Sequence, residues 1–413
     1  MLKNISSDQQ RILIVLTLIN FLNYLDRQII YPLFHLLKDD FNLSDFQLGF
    51  LGTFFMLTFS LTTVPLGILS DRFTRKIIIA GVVWFWSCMS FMSGLARNFG
   101  QLVSIRGLVG VGEAGYGPAS TAMLSDNFPQ NTWSRIQGIY NVGMFIGAMT
   151  GLVAGGLVAY YFNSWRVAFF IVSFPGFLLS IMAWRLRDKR PTTTTGFEKF
   201  LASTGGLAAN WAYWWIVVSG SFMTFAAGAY ITWGIEYTVR FRNYNLRDAG
   251  IIMGTILTVA GVTGIILGSY TSDYLQKIFP HGRSLVIGLS LVLASPLLYY
   301  GLGENLARPL FILLVFLGTT LGNFFHGPTT AVIHDVVPEN IRGTAYALYT
   351  LITTFLGATF APIVIGGISD KFGLDTALRW TSITVFLGGL SFMIVARLIY
   401  QNPQIVQNSR ARI

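Results

Sequence analysis

Residues 106–126 read RGLVGVGEAGYGPASTAMLSD and place charged residues inside a segment apolar enough to cross a membrane. Arg106 and Glu113 are seven residues apart, so on a helix they share a face and lie about 10 Å from each other. A second apolar segment, far upstream, carries Asp26 and Arg27. Charge at bilayer depth costs roughly 2.5–3.5 kcal/mol per group, so such groups are rarely left facing lipid. The pattern predicts a polar site inside a bundle of helices.

The composition indicates an integral membrane protein. Of 413 residues, 53% are hydrophobic and 11% are charged, whereas soluble domains average about 25% charged residues. The net charge of +10 does not indicate a nucleic-acid partner, because the basic residues fall in short clusters between apolar segments, as topology signals do. The first apolar segment is long and charged, so we interpret it as a retained span and not as a cleaved signal peptide.

Twelve apolar segments predict an all-α membrane protein with twelve transmembrane helices. The first six spans are expected near residues 12–36, 46–69, 77–96, 100–124, 137–162 and 166–185. The second six are expected near residues 211–238, 249–273, 284–303, 309–333, 343–368 and 378–399. Polar residues 187–210 predict a cytoplasmic linker, and residues 402–413 predict a cytoplasmic tail.

The two halves of the chain, residues 1–186 and 211–401, resemble each other. Matches recur at offsets between 202 and 211 residues and keep their order. The matched pairs are Gly117-Pro118 with Gly327-Pro328, Asp126 with Asp335, Pro129 with Pro338, Ser70-Asp71 with Ser272-Asp273, and Gly155-Gly156 with Gly366-Gly367. The repeat predicts two pseudo-symmetric six-helix bundles with a binding site near the midplane between them.

The distribution of Lys and Arg predicts the orientation. If the N-terminus is cytoplasmic, the inner segments hold seventeen basic residues and the outer segments hold nine. Positive charge is retained on the cytoplasmic side, so both termini are expected there. We therefore expect a monomeric, multi-pass protein of the cell (inner) membrane.

Residues 67–76, GILSDRFTRK, close the second span. An acidic residue beside basic ones at a helix end can form a charge network that latches helices together, and a plain positive-inside loop is the alternative. The string resembles the signature that the major facilitator superfamily carries between its second and third helices. The second copy, Ser272-Asp273, lacks the following arginine, so a strong latch is not expected there. The residues expected to form the cytoplasmic gate are Gly67, Asp71, Arg72, Arg75 and Lys76.

Within that superfamily the chain resembles the spinster-like family. The resemblance rests on residues 23–27 (NYLDR), 70–73 (SDRF) with 75–76 (RK), 106–116 (RGLVGVGEAGY) and 165–169 (WRVAF). It covers the N-terminal half better than the C-terminal half. Sugar-acid symporters of the same superfamily also carry a first helix like NYLDR. Their fourth helix usually lacks a string such as residues 110–116.

The resemblance implies a proton-coupled secondary transporter that moves a lipid-like amphiphile, such as a lysophospholipid or a sphingolipid-like molecule, by alternating access. It implies proton coupling for Asp26 and Glu113, with Arg27 and Arg106 as their charge partners or as anchors for an anionic headgroup. Two static ion pairs that hold helices together are the alternative, although buried pairs are a costly way to hold a bundle. A proton symporter for a sugar acid, a multidrug proton antiporter and a transport-dead receptor also stay open.

The second half has lost the charges of the first. Counted from the Gly-Pro pairs, Asn323 stands where Glu113 stands, and Phe316 replaces Arg106. We therefore expect a cavity with one charged wall and one aromatic, apolar wall, which suits an amphiphile. His326 is a candidate proton gate, with a hydrogen-bonded packing role as its alternative. The further candidates for the substrate site are Asn23, Tyr116, Tyr230, Trp233, Asn323, His326, Tyr346 and Tyr349.

An enzyme is not expected. The four histidines show no spacing for metal ligands and no partnered nucleophile. Gly110, Gly112 and Gly115 spell G-x-G-x-x-G, but inside a membrane helix without a βαβ unit, which excludes a dinucleotide site. We expect no cofactor and no metal; the expected partners are the substrate, protons and the lipid bilayer.

Overall fold

The structure, a computed structural model, describes residues 6–129, 132–188, 207–303, 306–338 and 341–401. The side chains of Ile68, Asp71, Arg72 and Ser134 are outside that description. Most of the predicted linker and the whole predicted tail, residues 402–413, also lie outside the described residues. All regular structure in the described ranges is helical, which confirms the predicted fold class.

The described residues of the first half of the chain form eight helices. They are α1 (Ser7–Ile29), α2 (Phe34–Phe41), α3 (Asp45–Arg72), α4 (Arg75–Ser93), α5 (Phe99–Ala114), α6 (Tyr116–Asn127), α7 (Trp133–Phe162) and α8 (Trp165–Trp184). A 3₁₀ turn, Tyr31–Leu33, joins α1 to α2. Ser6 and Ser44 begin α1 and α3 with capping boxes. In each, the serine hydroxyl accepts the backbone N–H of a glutamine three residues on, and the side-chain oxygen of that glutamine accepts the backbone N–H of the serine.

The described residues of the second half form nine helices. They are α9 (Trp211–Arg242), α10 (Leu246–Thr255), α11 (Gly261–Ile278), α12 (Gly282–Gly301), α13 (Arg308–Gly322), α14 (His326–Val336), α15 (Arg342–Thr353), α16 (Ala361–Phe372) and α17 (Leu374–Gln401). Two π-helical segments, Ile256–Ala260 and Thr354–Ala358, connect α10 to α11 and α15 to α16.

Eleven helices among the described residues are long and apolar enough to span a membrane. The predicted fourth span is the remaining one, because it is divided into α5 and α6 at Gly115. Its counterpart in the second half changes to a 3₁₀ turn at Asn323–Phe325 between α13 and α14. Hydropathy predicted a continuous helix at both places. The Gly-Pro pairs explain the difference, since Pro118 and Pro328 have no N–H to donate to the preceding turn.

The chain separates into two compact units. The first comprises Met1–Thr195 with Tyr244–Gly254, and the second comprises Gly196–Asn243 with Thr255–Ile413. Residues 244–254 follow the α9 helix in the chain, yet they group with the first unit. The expected boundaries, 1–186 and 211–401, stay a prediction.

A glycine ridge on α7 seats α1. A Cβ added at any of four glycines, spaced four residues apart, would lie closer than 3.0 Å to a carbonyl oxygen of α1. The pairs are Gly143 with Thr17, Gly147 with Phe21, Gly151 with Leu25, and Gly155 with Ile29. Small residues at this spacing let two membrane helices approach at backbone distance. The ridge therefore sets the position of α1, the helix that carries Asp26 and Arg27.

We expect Gly147→Ala to destabilise the protein and Gly138→Ala to leave it nearly unchanged. The new methyl group at residue 147 would meet the backbone of Phe21, whereas residue 138 on the same helix has nothing within 4 Å. Overpacking of this kind costs about 1–3 kcal/mol. Thermal unfolding of the two purified variants checks the difference, and equal melting temperatures would contradict the ridge.

Candidate functional site

Asp26 and Arg106 form an ion pair that is closed off from solvent. Arg106 Nη1 donates to Asp26 Oδ1 over 3.0 Å, and Nη2 donates to the main-chain oxygen of Asp26 over 3.3 Å. The hydroxyl of Ser90 on α4 donates to the second carboxylate oxygen, Oδ2. Both charged residues are 1% exposed. One carboxylate therefore joins α1, α4 and α5.

Arg27 and Glu113 form a second ion pair, which is open on one side. Arg27 Nε donates to Glu113 Oε2 over 2.6 Å. Glu113 is 1% exposed, whereas 14% of the Arg27 side chain is accessible. The other carboxylate oxygen, Glu113 Oε1, is buried and has no hydrogen-bond partner among the described residues. The second pair is thus partly accessible, unlike the first. Each pair leaves one buried polar atom without a hydrogen-bond partner among the described residues, Glu113 Oε1 in this pair and Arg106 Nε in the other.

The two pairs run between the same two helices. Asp26 and Arg27 are neighbours on α1, so their side chains point about 100° apart around the helix. Each reaches a different position on α5, where Arg106 and Glu113 are two turns apart along one face. The structure thus brings together all four charges that the sequence analysis singled out, and it decides which acid pairs with which base.

Aromatic rings complete the surroundings of both guanidinium groups. The Cζ atom of Arg27 lies 4.2 Å from the ring centroid of Phe59, 5.0 Å from that of Tyr24 and 5.9 Å from that of Phe55. The Cζ atom of Arg106 lies 5.2 Å from the Phe55 centroid and 5.5 Å from that of Phe169. Sequence reasoning missed these rings, because nothing local distinguishes Phe55 and Phe59 from the other phenylalanines of α3.

Glycines on α5 bring α3 and α4 up to the charged pairs. A Cβ at Gly110 would lie 2.6 Å from the Phe55 carbonyl oxygen, and one at Gly112 would lie 2.9 Å from Trp86 Cβ. Gly115 is similarly enclosed, whereas Gly117 has nothing within 4 Å. The small residues of this segment therefore serve close packing, with Gly117 as the exception.

Two other candidates of the first half, Asn23 and Tyr116, are buried in packing. Tyr116 donates its hydroxyl to the carbonyl oxygen of Leu16 and lies edge-on to Trp86. Asn23 Nδ2 is buried without a hydrogen-bond partner in the described part of the chain. Tyr116 thus holds α6 to α1 and presents no free polar group to a ligand.

The second-half candidates differ in accessibility. Trp233 is fully buried and donates its indole N–H to Pro362 O over 3.1 Å. Asn323 Nδ2 donates to Thr319 O over 2.8 Å, which caps the end of α13. His326 is exposed and lies edge-on to the buried ring of Phe325. Trp233 is therefore a core residue, while His326 stays open to a ligand.

The three candidate tyrosines of the second half form a stacked pair, Tyr346 with Tyr349, and one half-buried single ring, Tyr230. Tyr346 is 42% exposed and stacks on buried Tyr349, with centroids 6.1 Å apart. The hydroxyl oxygen of Tyr230 is buried and has no hydrogen-bond partner within the described ranges. Tyr346 is the member of this group that presents an aromatic face to its surroundings.

The expected gate residues of the first half are tied to neighbouring helices. Arg75 on α4 donates to the Asp126 carboxylate and, over 3.0 Å, to Ala122 O, both on α6. The main-chain N–H of Lys76 donates to Asp188 Oδ2 over 3.0 Å. Gly67 faces Pro118 at ordinary contact distance. The other two expected gate residues, Asp71 and Arg72, end α3, and their side chains lie outside the described residues.

A corresponding cluster in the second half contains a residue that sequence reasoning missed. Arg283, near the start of α12, pairs with Asp273 Oδ1 over 2.9 Å and with Asp335 Oδ2 over 3.1 Å. The Ser272-Asp273 copy therefore has an arginine partner after all, supplied ten residues further on. The repeat contained a signal for Arg283. Asp335 matches Asp126, and the partner of Asp126 is Arg75, which begins α4 as Arg283 lies at the start of α12.

Comparison with known proteins identifies the family. Residues 16–362 match the family model described as Major Facilitator Superfamily. The chain belongs to this superfamily. It is therefore a multi-pass membrane transporter by family. The eleven apolar helices among the described residues, together with the divided fourth span, agree with this.

Within the superfamily the chain is similar to spinster proteins, as its motifs indicated. It is 26% identical to protein spinster of Drosophila melanogaster over 92% of this chain and 66% of that protein. It is 27% identical to the sphingosine-1-phosphate transporter SPNS2 of Xenopus tropicalis over 94% of this chain and 82% of that protein.

A solved structure shows the same fold. The crystal structure of a bacterial homolog of the human lysosomal transporter spinster, inward-facing and unoccupied, superposes with a TM-score of 0.87. The sequence identity is 22%, and the match covers 96% of this chain and 99% of that one. The twelve-helix major facilitator fold is thus confirmed for this chain.

We expect Arg106→Met to destabilise the protein by about 3–5 kcal/mol, because it leaves the Asp26 carboxylate buried without its partner. Adding Asp26→Asn should recover part of that loss, since the uncompensated charge disappears. Arg187→Met is the control, because Arg187 pairs with Asp8 at an exposed site worth about 0–1 kcal/mol. Thermal unfolding checks all three, and a double variant less stable than Arg106→Met would contradict the buried pair.

Proposed function

We propose that the protein is a proton-coupled secondary transporter that moves an amphiphilic, lipid-like substrate across the membrane by alternating access. The substrate class is a single-chain lipid with an anionic headgroup, of the lysophospholipid or sphingolipid-like kind. Asp26 and Glu113 carry the proton, and Arg27 and Arg106 are their charge partners, with Arg27 as the anchor for the headgroup.

The half-open pair of Arg27 and Glu113 is the observation that carries this proposal. A guanidinium has five N–H donors, and for Arg27 only Nε has an acceptor among the described residues. The accessible part of the side chain therefore includes a planar fork that suits a carboxylate or a phosphate. Arg106, by contrast, commits two donors to Asp26 and is buried.

Coupling follows from competition for one guanidinium. A headgroup anion that takes Arg27 removes the partner of Glu113 and leaves an uncompensated carboxylate in a dry site. Such a site favours the protonated form of the acid, because a buried charge without a partner is costly. The substrate and the proton are thereby linked through Arg27 in one site.

The Asp26 pair is the second proton site in this scheme. Asp26 accepts three hydrogen bonds and is closed from solvent. Arg106 and Ser90 each donate to one carboxylate oxygen, and Arg106 also donates to the main-chain oxygen. Opening it requires α1, α4 and α5 to separate, whereas the Glu113 pair needs only the departure of one partly accessible arginine. We therefore propose that Glu113 exchanges its proton first.

The amphiphilic substrate class is supported by relatives and by chemistry. SPNS2 of Xenopus tropicalis is named a sphingosine-1-phosphate transporter, and such a molecule has one chain and one phosphate. Tyr346, exposed in the second unit, offers an aromatic face of the kind that packs against an acyl chain.

The runner-up functions are tested by the same flux measurement. They are proton symport of a small organic anion such as a sugar acid, and multidrug proton antiport. A relative of 25% identity is named an MFS-type efflux pump. Reconstituted protein should accumulate lysophosphatidic acid and should not accumulate a sugar acid or a cationic drug. Accumulation of a sugar acid or of a cationic drug, without accumulation of lysophosphatidic acid, would overturn the lipid proposal in favour of the corresponding function.

We expect Glu113→Gln and Asp26→Asn each to abolish substrate accumulation driven by a pH gradient in proteoliposomes. Both amides keep the size of the side chain and remove its proton exchange. Substrate counterflow without a gradient should persist. Glu236→Gln is the matched control, because Glu236 is an equally buried carboxylate in the second unit, 2.5 Å from Arg240. Parental rates with parental pH dependence in both site variants would rule out coupling through these carboxylates.

We expect Arg27→Gln to weaken the binding of lysophosphatidic acid by about tenfold or more, because hydrogen bonds to charged groups contribute about 1.5–3 kcal/mol. Binding of monoacylglycerol, which shares the chain but lacks the phosphate, should change much less. Arg247→Gln, at an exposed arginine, serves as the control. Titration of both lipids onto purified protein checks this, and equal losses for the two lipids would contradict a headgroup anchor.

A further inference from the structure

Three aromatic rings from two helices surround the guanidinium of Arg27. Tyr24 lies one turn before it on α1, and Phe55 and Phe59 approach from α3. A cation within about 6 Å of a ring centroid is attracted by the negative face of the ring, and more strongly when water is excluded. We call Tyr24, Phe55 and Phe59 the aromatic bracket.

The bracket is built into the packing of α3 against α5. Phe55 and Phe59 are one turn apart and nearly parallel, with ring centroids 6.4 Å apart. Thr58, between them, donates its hydroxyl to Gly107 O over 2.9 Å. A Cβ at Gly110 would meet both Phe55 O and Thr58 Oγ1 at 2.6 Å. Gly107 and Gly110 of α5 thus allow this turn of α3 to pack at backbone distance beside the segment of α5 that carries Arg106.

The bracket supplies what the ion pair lacks. Glu113 contributes one hydrogen bond to Arg27, and the remaining guanidinium donors have no acceptor among the residues described. When Glu113 is neutral, the charge of Arg27 needs another favourable contact to stay at bilayer depth. Phe59, at 4.2 Å, is the nearest of the three rings to the guanidinium carbon.

We propose that Phe59, with Tyr24 and Phe55, is a positioning residue that holds the Arg27 guanidinium in place while Glu113 is neutral. Phe55 has a second part in this, because its ring also lies 5.2 Å from the guanidinium carbon of Arg106. One ring therefore touches the cations of both ion pairs. A displacement of Arg27 can therefore alter the surroundings of Arg106 through the Phe55 ring as well as through α1.

The consequence for the substrate rests on the proposed function. If a headgroup anion binds Arg27 while Glu113 is protonated, the aromatic bracket keeps the Arg27 guanidinium oriented toward the anion as its partner changes from Glu113 to the headgroup. Removing the nearest ring should then weaken phosphate binding more than it weakens binding of the neutral lipid.

A double-mutant cycle tests the bracket without any substrate. Phe59→Leu keeps an apolar side chain and removes the ring, and it is measured in the parental protein and in Glu113→Gln. The loss of melting temperature should be larger by about 2 °C or more in the Glu113→Gln background, because the ring is then the main compensation for Arg27. An equal or smaller loss in that background would overturn the proposal.

Phe50→Leu is the matched control on the same helix. In the described structure the ring of Phe50 packs on Phe54, 5.6 Å away, and on no arginine. Its loss of melting temperature should be the same in both backgrounds. Phe59→Tyr should restore the parental value, since it returns an aromatic face to the same position. Failure of Tyr to restore it, with Leu and Tyr equally unstable, would assign Phe59 to packing alone.

A lipid titration then separates this proposal from the proposed function. Phe59→Leu should weaken lysophosphatidic acid binding at least threefold relative to monoacylglycerol. If the parental protein binds neither lipid while the cycle shows the expected coupling, the substrate class is wrong and the bracket stands. If the parental protein binds lysophosphatidic acid and Phe59→Leu shows neither effect, the bracket is wrong and the substrate class stands.

Discussion

Four charges in an apolar interior are the constraint on which the first unit depends. Each is too costly to leave alone in a dry medium, so the helices that carry them must meet. Asp26 and Arg27 follow each other on α1 and therefore cannot share a partner face. They are satisfied together only because α5 presents an arginine and a glutamate two turns apart. The position and rotation of α1 against α5 follow from this double requirement.

Close approach of backbones makes that arrangement attainable. Polar groups in the membrane interior gain little from a partner several ångströms away, and glycine removes the side chains that would keep helices apart. The ridge of α7 seats α1 on one side, and Gly110 and Gly112 of α5 admit α3 and α4 on the other. The same contacts that bring the carboxylates to the arginines also bring Phe55 and Phe59 over them. The same helix–helix contacts therefore determine both the packing and the electrostatics of the site.

The second unit keeps the framework of the first but has no charged residue at the positions that match Arg106 and Glu113. Both units tie the start of their first span to the end of the fourth, through Gln9 Nε2 to Asn127 O at 2.6 Å and Asn210 Nδ2 to Val336 O at 2.8 Å. Both also have an arginine–aspartate ion pair that joins the start of the third span to the end of the fourth. Where Glu113 stands in the first unit, Asn323 caps a helix end. The framework supports the fold, while the arginine and glutamate of α5 have no charged counterpart at Phe316 and Asn323.

Hydropathy, Gly-Pro spacing and the motif strings are local properties, and from the sequence alone they determined the spans, the repeat, the superfamily and the four buried charges. The pairing of Asp26 with Arg106 and of Arg27 with Glu113 was decided by tertiary structure, because adjacent residues on a helix are equivalent until a neighbour fixes its rotation. The burial of Trp233 and Tyr116, the partnership of Arg283 and the rings over Arg27 were decided in the same way. Each depends on contacts between segments distant in the chain, and residue type and spacing carry no information about which faces will meet.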